Sequence, residues 1–169
     1  MTRSGLTPST DARLIDLRRE LHRRPEPGWR EFETTARLVE EIEAIGVDEL
    51  AVGREAYDPA DRMAVPDPET IEPWIERARE RDVRADVLER TRGGVTGCVA
   101  VLDRGAGPSV GLRVDIDGLL ISEATDDDHR PAEAGFRSAV DGTMHACGHD
   151  VHMTWGIAAL EAVAASDFE

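Results

Sequence analysis

The chain has 169 residues, 40% of them hydrophobic, which is room for one domain with a real core. Acidic residues number 35 against 20 basic ones, every one of them arginine, for a formal net charge of −15. That balance excludes nucleic acid and anionic lipid as partners, because both need clustered positive charge, and it reads instead as a strongly solvated surface of the kind found in salt-adapted organisms or GC-rich genomes.

The first predicted element is an amphipathic helix over about residues 11–24, capped by Thr10 or Asp11, with Leu14, Leu17 and Leu21 at helical spacing and Pro25 and Pro27 ending it. A second helix covers about 31–45. Phe32, Ala36, Val39 and Ile42 form its apolar stripe, and Gly46 is its natural stop. The proline-rich acidic stretch 53–69 reads as extended surface, and a third helix follows over about 69–81, with Pro73 in its first turn.

Thereafter the pattern becomes extended. Residues 95–102 and 110–116 are rich in β-branched side chains and are separated by turn material, which predicts an antiparallel hairpin; 47–52 is a candidate third strand. A polar loop runs from 117 to about 143, and a last helix covers about 150–165. The order predicts an α/β layered domain whose sheet is short of strands. No run approaches the roughly 18 apolar residues of a membrane span. Met1-Thr2-Arg3-Ser4-Gly5 leads into charged helix without an apolar signal core, so a cytoplasmic location is expected.

Two cysteines do not make a disulfide framework. Cys98 sits in an apolar run as a small hydrophobe. Cys147 lies in Met144-His145-Ala146-Cys147-Gly148-His149-Asp150-Val151-His152, which holds three of the five histidines. A thiolate and an imidazole flanking a glycine can converge on one ion or reach two neighbouring ions, and they favour zinc or another first-row transition metal over magnesium or calcium. On spacing alone Cys-x-His has no fixed meaning. His152 reads as a substrate contact or a polar residue of a first helical turn in preference to a ligand, and His145 as a loop hydrogen-bonder. Asp150, at a helix's positive end, could orient a ligand imidazole. His22 reads as structural and His129 as either. In Arg113-Val114-Asp115-Ile116-Asp117 alternation sends Asp115 and Asp117 to one face, either at a site or where a strand meets solvent.

Taken together, Leu112-Arg113-Val114-Asp115-Ile116-Asp117-Gly118-Leu119 and the Cys147-Gly148-His149-Asp150 segment resemble the aminoacylase, hippurate hydrolase and auxin-conjugate hydrolase branch of the binuclear metallopeptidases. So does the opening Leu17-Arg18-Arg19-Glu20-Leu21-His22-Arg23-Arg24-Pro25-Glu26. Trp29-Arg30-Glu31-Phe32, Gly53-Arg54-Glu55, Gly93-Gly94-Val95-Thr96-Gly97 and His129-Arg130-Pro131-Ala132 are similar to its aminobenzoyl-glutamate hydrolase subgroup.

The resemblance implies a zinc-exopeptidase-like catalytic domain, helices packed on a mixed sheet, of which residues 1–169 are an incomplete N-terminal portion. It implies Cys147 and His149 as metal ligands in a two-ion site of Zn or Mn. Asp117 and Asp150 take supporting catalytic roles there, and Asp115, His145 and His152 lie around it or contact substrate. The implied reaction is hydrolysis of N-acyl or N-aroyl amino acids such as aminobenzoyl-glutamate. The family's general-base glutamate, later histidine ligands and lid or dimerisation domain are not among these 169 residues. The expectation is therefore a chain that is weakly active or inactive alone, forms a homo-oligomer or associates with a complementary C-terminal fragment, or acts as a non-catalytic metal-binding piece. Where the family commonly places a proline after Asp-Ala-Leu, this chain has Asp117-Gly118-Leu119-Leu120, which is expected to loosen that turn.

Overall fold

The computed structural model describes residues 8–126 and 128–166. The signal-region and N-terminal-start expectations for Met1 to Gly5 lie outside them. Helix α1 runs Pro8–Arg23 and α2 Phe32–Ile45, followed by strand β1, Glu49–Val52. After two single-turn 3₁₀ segments come α3, Pro68–Glu80, and α4, Ala85–Arg90. Strand β2, Cys98–Val101, a short helix α5, Arg130–Glu133, and α6, His149–Ala164, complete the order.

Periodicity places the main helices correctly. In α1 the leucines at 14, 17 and 21 are buried and meet Leu38 and Ile42 of α2 and Met153 and Ile157 of α6 in one core. The predicted α2 stripe is fully inward, with Phe32 and Val39 at 0% exposure. Gly46 ends α2 at φ +81°, a left-handed value that favours glycine. A second cluster joins Phe32 to Ile71, Ile75, Ala78 and Leu88, so α2 shares its N-terminal half with α3 and α4. Helix α4, too short to show a period, is absent from the sequence-based prediction, as is α5.

The hairpin expected between 95–102 and 110–116 does not form. Strand β2 instead pairs antiparallel with β1, Val52 opposite Cys98 and Glu49 opposite Val101, so the candidate third strand 47–52 is the true partner. The reason lies in the connection. Asp48 accepts from the Asp103 amide, and the Arg104 guanidinium donates to the Val163 and Ala164 carbonyls at the end of α6. The chain is thereby carried to α6 and returns along that helix, with Val114 packed on Gly156 and Ile116 on the first core. Val110 and Leu112 precede that contact and are exposed at 93% and 67%. Among the described residues the sheet is this antiparallel pair, its Leu50, Cys98 and Ala100 side turned to the helices.

The turn after Asp117 is held at both ends despite lacking the proline. The Gly118 amide donates to the Glu26 carbonyl at 2.7 Å, and Leu119 and Met144 exchange both backbone hydrogen bonds. A Cβ at position 118 would stand 2.8 Å from that of Pro25, so glycine permits the close approach.

Candidate metal centre

Helix α6 begins at a sharp bend. Its N-cap Gly148 is left-handed at φ +83°, which lets the chain reverse between Cys147 and His149. His149 and His152, three residues apart, then share a face of the first turn with ring centroids 5.2 Å apart. Asp115 comes to them from the returning segment. One donor atom from each of Asp115, His149 and His152 lies within 4.8 Å of the others, the spacing of a shared cation.

His149 is oriented for that role. Its Nδ1 lies 2.9 Å from both the carbonyl and the Oδ1 of Asp117, so the Nδ1–H donates to this residue. The lone pair is then left on Nε2, the arrangement that commonly prepares a ligand imidazole. Asp115 and Asp117 thus both reach His149, although residues 113–117 form no regular strand. Asp115 is also paired at 2.9 Å with Arg113, a 90% exposed guanidinium that is easily displaced.

Cys147 is exposed and stands outside the three-donor group. Asp150 turns away from His149: fully buried, it accepts from His22 Nδ1 at 2.9 Å and faces Arg18 Nε at 2.7 Å. The carboxylate on His149 is therefore Asp117. His145 is buried, with neither ring nitrogen hydrogen-bonded among the described residues, so it does not tie down the loop. Burial pushes its pKa down to about 4, leaving it neutral. His129 bonds Glu123.

Two buried acids escape a reading based on spacing. Glu26 accepts from the Glu33 and Thr34 amides at the start of α2, at 3.1 and 2.8 Å, and burial pushes its pKa up to about 8. Glu31 accepts from the Thr96 hydroxyl; burial, aided by the charge of Asp117, raises it to about 7. The available signal is position for Glu26 alone, which precedes an apolar helix start whose free amides need acceptors; Glu31 makes no such cap and its Thr96 partner lies 65 positions away.

The donor set fits a divalent cation: one carboxylate and two imidazoles, with a thiol two residues before the first imidazole. Comparison with known proteins agrees. The sequence profile of peptidase family M20/M25/M40 matches residues 111–168, the stretch that carries every one of these donors. The indole-3-acetyl-aspartic acid hydrolase of Enterobacter agglomerans is 44% identical over 85% of the chain. Among solved structures, the aminobenzoyl-glutamate utilization protein of Klebsiella pneumoniae superposes with a TM-score of 0.69 at 30% identity over 92% of the chain. A dinuclear metal-binding M20 peptidase of Bacillus subtilis gives 0.55 at 30% identity over 90%. The chain spans about a third of the length of each, 33%, 33% and 30% respectively.

Proposed function

We propose that this chain, whose residues 111–168 match the profile of peptidase family M20/M25/M40, supplies part of a two-cation site for hydrolysing the amide bond of N-acyl or N-aroyl amino acids. Aminobenzoyl-glutamate and indole-3-acetyl-aspartate, which appear in the names of two relatives described above, support a substrate with an aromatic acyl group on an acidic amino acid. The carrying observation is the convergence of Asp115, His149 and His152, with Asp117 fixing the His149 tautomer.

In this reading His149 and Cys147 bind the ions, Zn or Mn, and Asp115 and His152 complete or flank the same donor group. Asp117 orients His149. When bound, such a cation polarises the scissile carbonyl and acidifies water. Because the chain spans about a third of the length of its relatives, the reading has a complementary segment complete the site and supply the general base, with the chain alone binding metal and hydrolysing poorly. The exposed Val99, Val101, Val110 and Leu112 give that segment an apolar surface to cover.

Zn²⁺ and Mn²⁺ titration of the purified chain tests the reading. His149→Ala and Cys147→Ala are each expected to cut affinity by about tenfold or more, with folding retained by circular dichroism. Wild-type affinity in both would remove the proposed site.

A further inference from the structure

A second polar cluster lies behind the donor group and takes no part in it. His22, on α1, is buried, and each of its ring nitrogens faces a carboxylate whose side chain is fully buried: Nδ1 to Asp150 Oδ2 and Nε2 to Glu123 Oε1, both at 2.9 Å. An imidazole with an acceptor on each nitrogen donates twice, which is the cationic form. Burial opposes that charge, but the hydrogen bonds to Asp150 and Glu123 outweigh it and raise the His22 pKa. Arg18 adds a second cation on Asp150. Glu123 also accepts from His129 Nε2 at 2.8 Å and from the Ser138 amide at 2.5 Å. Phe136 closes the cluster edge-on, its ring centroid 5.4 Å from that of His22.

The two arms of this imidazole reach the two pieces of chain that must meet at the metal centre. Asp150 is the residue after His149, in the first turn of α6. Glu123 belongs to the stretch leaving the Asp117 turn, just past the Leu119–Met144 bridge. We propose that His22 is a positioning residue for the metal centre: it holds the α6 N-terminus and the 117–145 segment at the separation at which Asp117 meets His149 and Asp115 meets His149 and His152. Without it Asp150 keeps Arg18 and Glu123 keeps His129 and the Ser138 amide, but nothing links the two carboxylates, and the segments that carry them part.

This inference rests on the metal reading above, and its test separates the two. Hydrogen exchange without metal and Co²⁺ binding with its visible spectrum are measured on the full chain for wild type, His22→Ala, His22→Asn, His22→Gln and His149→Ala. His22→Ala should lower Co²⁺ affinity by about 10- to 100-fold, alter the spectrum, and raise exchange in 119–126 and 149–153 while leaving α2 and α3 protected. Asn reproduces the Nδ1 donor and Gln the Nε2 donor. His22→Asn should therefore free chiefly the 119–126 segment and His22→Gln chiefly the start of α6, which a uniform loss of stability would not produce. Should His22→Ala fail to fold, this Asn/Gln pair carries the test. Co²⁺ affinity within twofold of wild type in the His22 variants, with His149→Ala abolishing binding, overturns the positioning role alone. Unchanged binding in His149→Ala overturns the metal reading, and the exchange pattern then decides whether His22 joins the two segments. Equal exchange in Asn and Gln variants overturns that as well.

Discussion

The first turn of α6 divides two polar regions that the sequence presents as one motif. On its inner side Asp150 is fully buried and meets His22 and Arg18, while Glu123 beyond it takes three donors. On its outer side the exposed Asp115 and the half-buried His149 and His152 bring one donor atom each within 4.8 Å of the others, with Asp115 also paired to the exposed Arg113 and His149 to Asp117. Buried charge persists in a fold only when it is paired, so the inner region reads as architecture. A carboxylate and two imidazoles gathered in partial exposure, without the burial that fixes the inner cluster, suit a bound cation, so the outer region reads as the candidate site. Neighbouring residues in sequence, Asp150 and His149, thus do opposite work.

Breaking the outer region should abolish metal retention and leave the fold intact. His152→Ala and Asp115→Asn are expected to lower Zn²⁺ affinity by about tenfold or more each, with unfolding free energy within about 0.5 kcal/mol of wild type, as for surface changes. Chelator competition and urea melts measure the two. Breaking the inner region should do the reverse in stability. Asp150→Ala strands Arg18 and the His22 imidazolium, and a cost of about 3–5 kcal/mol is expected in urea melts.

A third contrast lies in pH. Glu26 has its pKa raised from 4.5 to about 8, so the folded state holds a proton that the unfolded state releases. Its contribution is full below about pH 4.5 and is lost as pH rises toward 8. Glu26→Gln should flatten this decline in melts between pH 5 and 8. His22 acts in the same direction, its stabilisation being lost only as pH rises past its raised pKa.

The smallest effect belongs to the arginine-rich surface. Arg84 bridges Glu43 and Asp86 with a side chain about a third exposed, and Arg84→Ala should cost at most about 1 kcal/mol, shrinking in high salt. Stability that rises steeply between dilute buffer and molar KCl would support salt adaptation; indifference would reject it.

Periodicity and breakers were enough to locate α1, α2, α3 and α6, because each needs one apolar stripe and a stop, and these are local properties of the chain. The motif around Cys147 and His149 and the Asp115/Asp117 pair were legible as candidates, but that His152 joins Asp115 and His149 was not, because residues 113–117 form no strand and the grouping depends on how that segment returns along α6. Strand pairing was not. Residues 95–102 favour any strand neighbour equally by composition, and the choice of β1 over 110–116 came from Asp48 and Arg104 anchoring the connection to distant backbone. Nor could sequence say which acid attends which histidine. Asp150 is adjacent to His149 yet serves His22, 128 positions away, while Asp117, 32 positions away, serves His149. A helix sends consecutive side chains about 100° apart, so neighbours in the motif face different surroundings, and only the packing of α1, the 117–145 segment and α6 decides what those surroundings are.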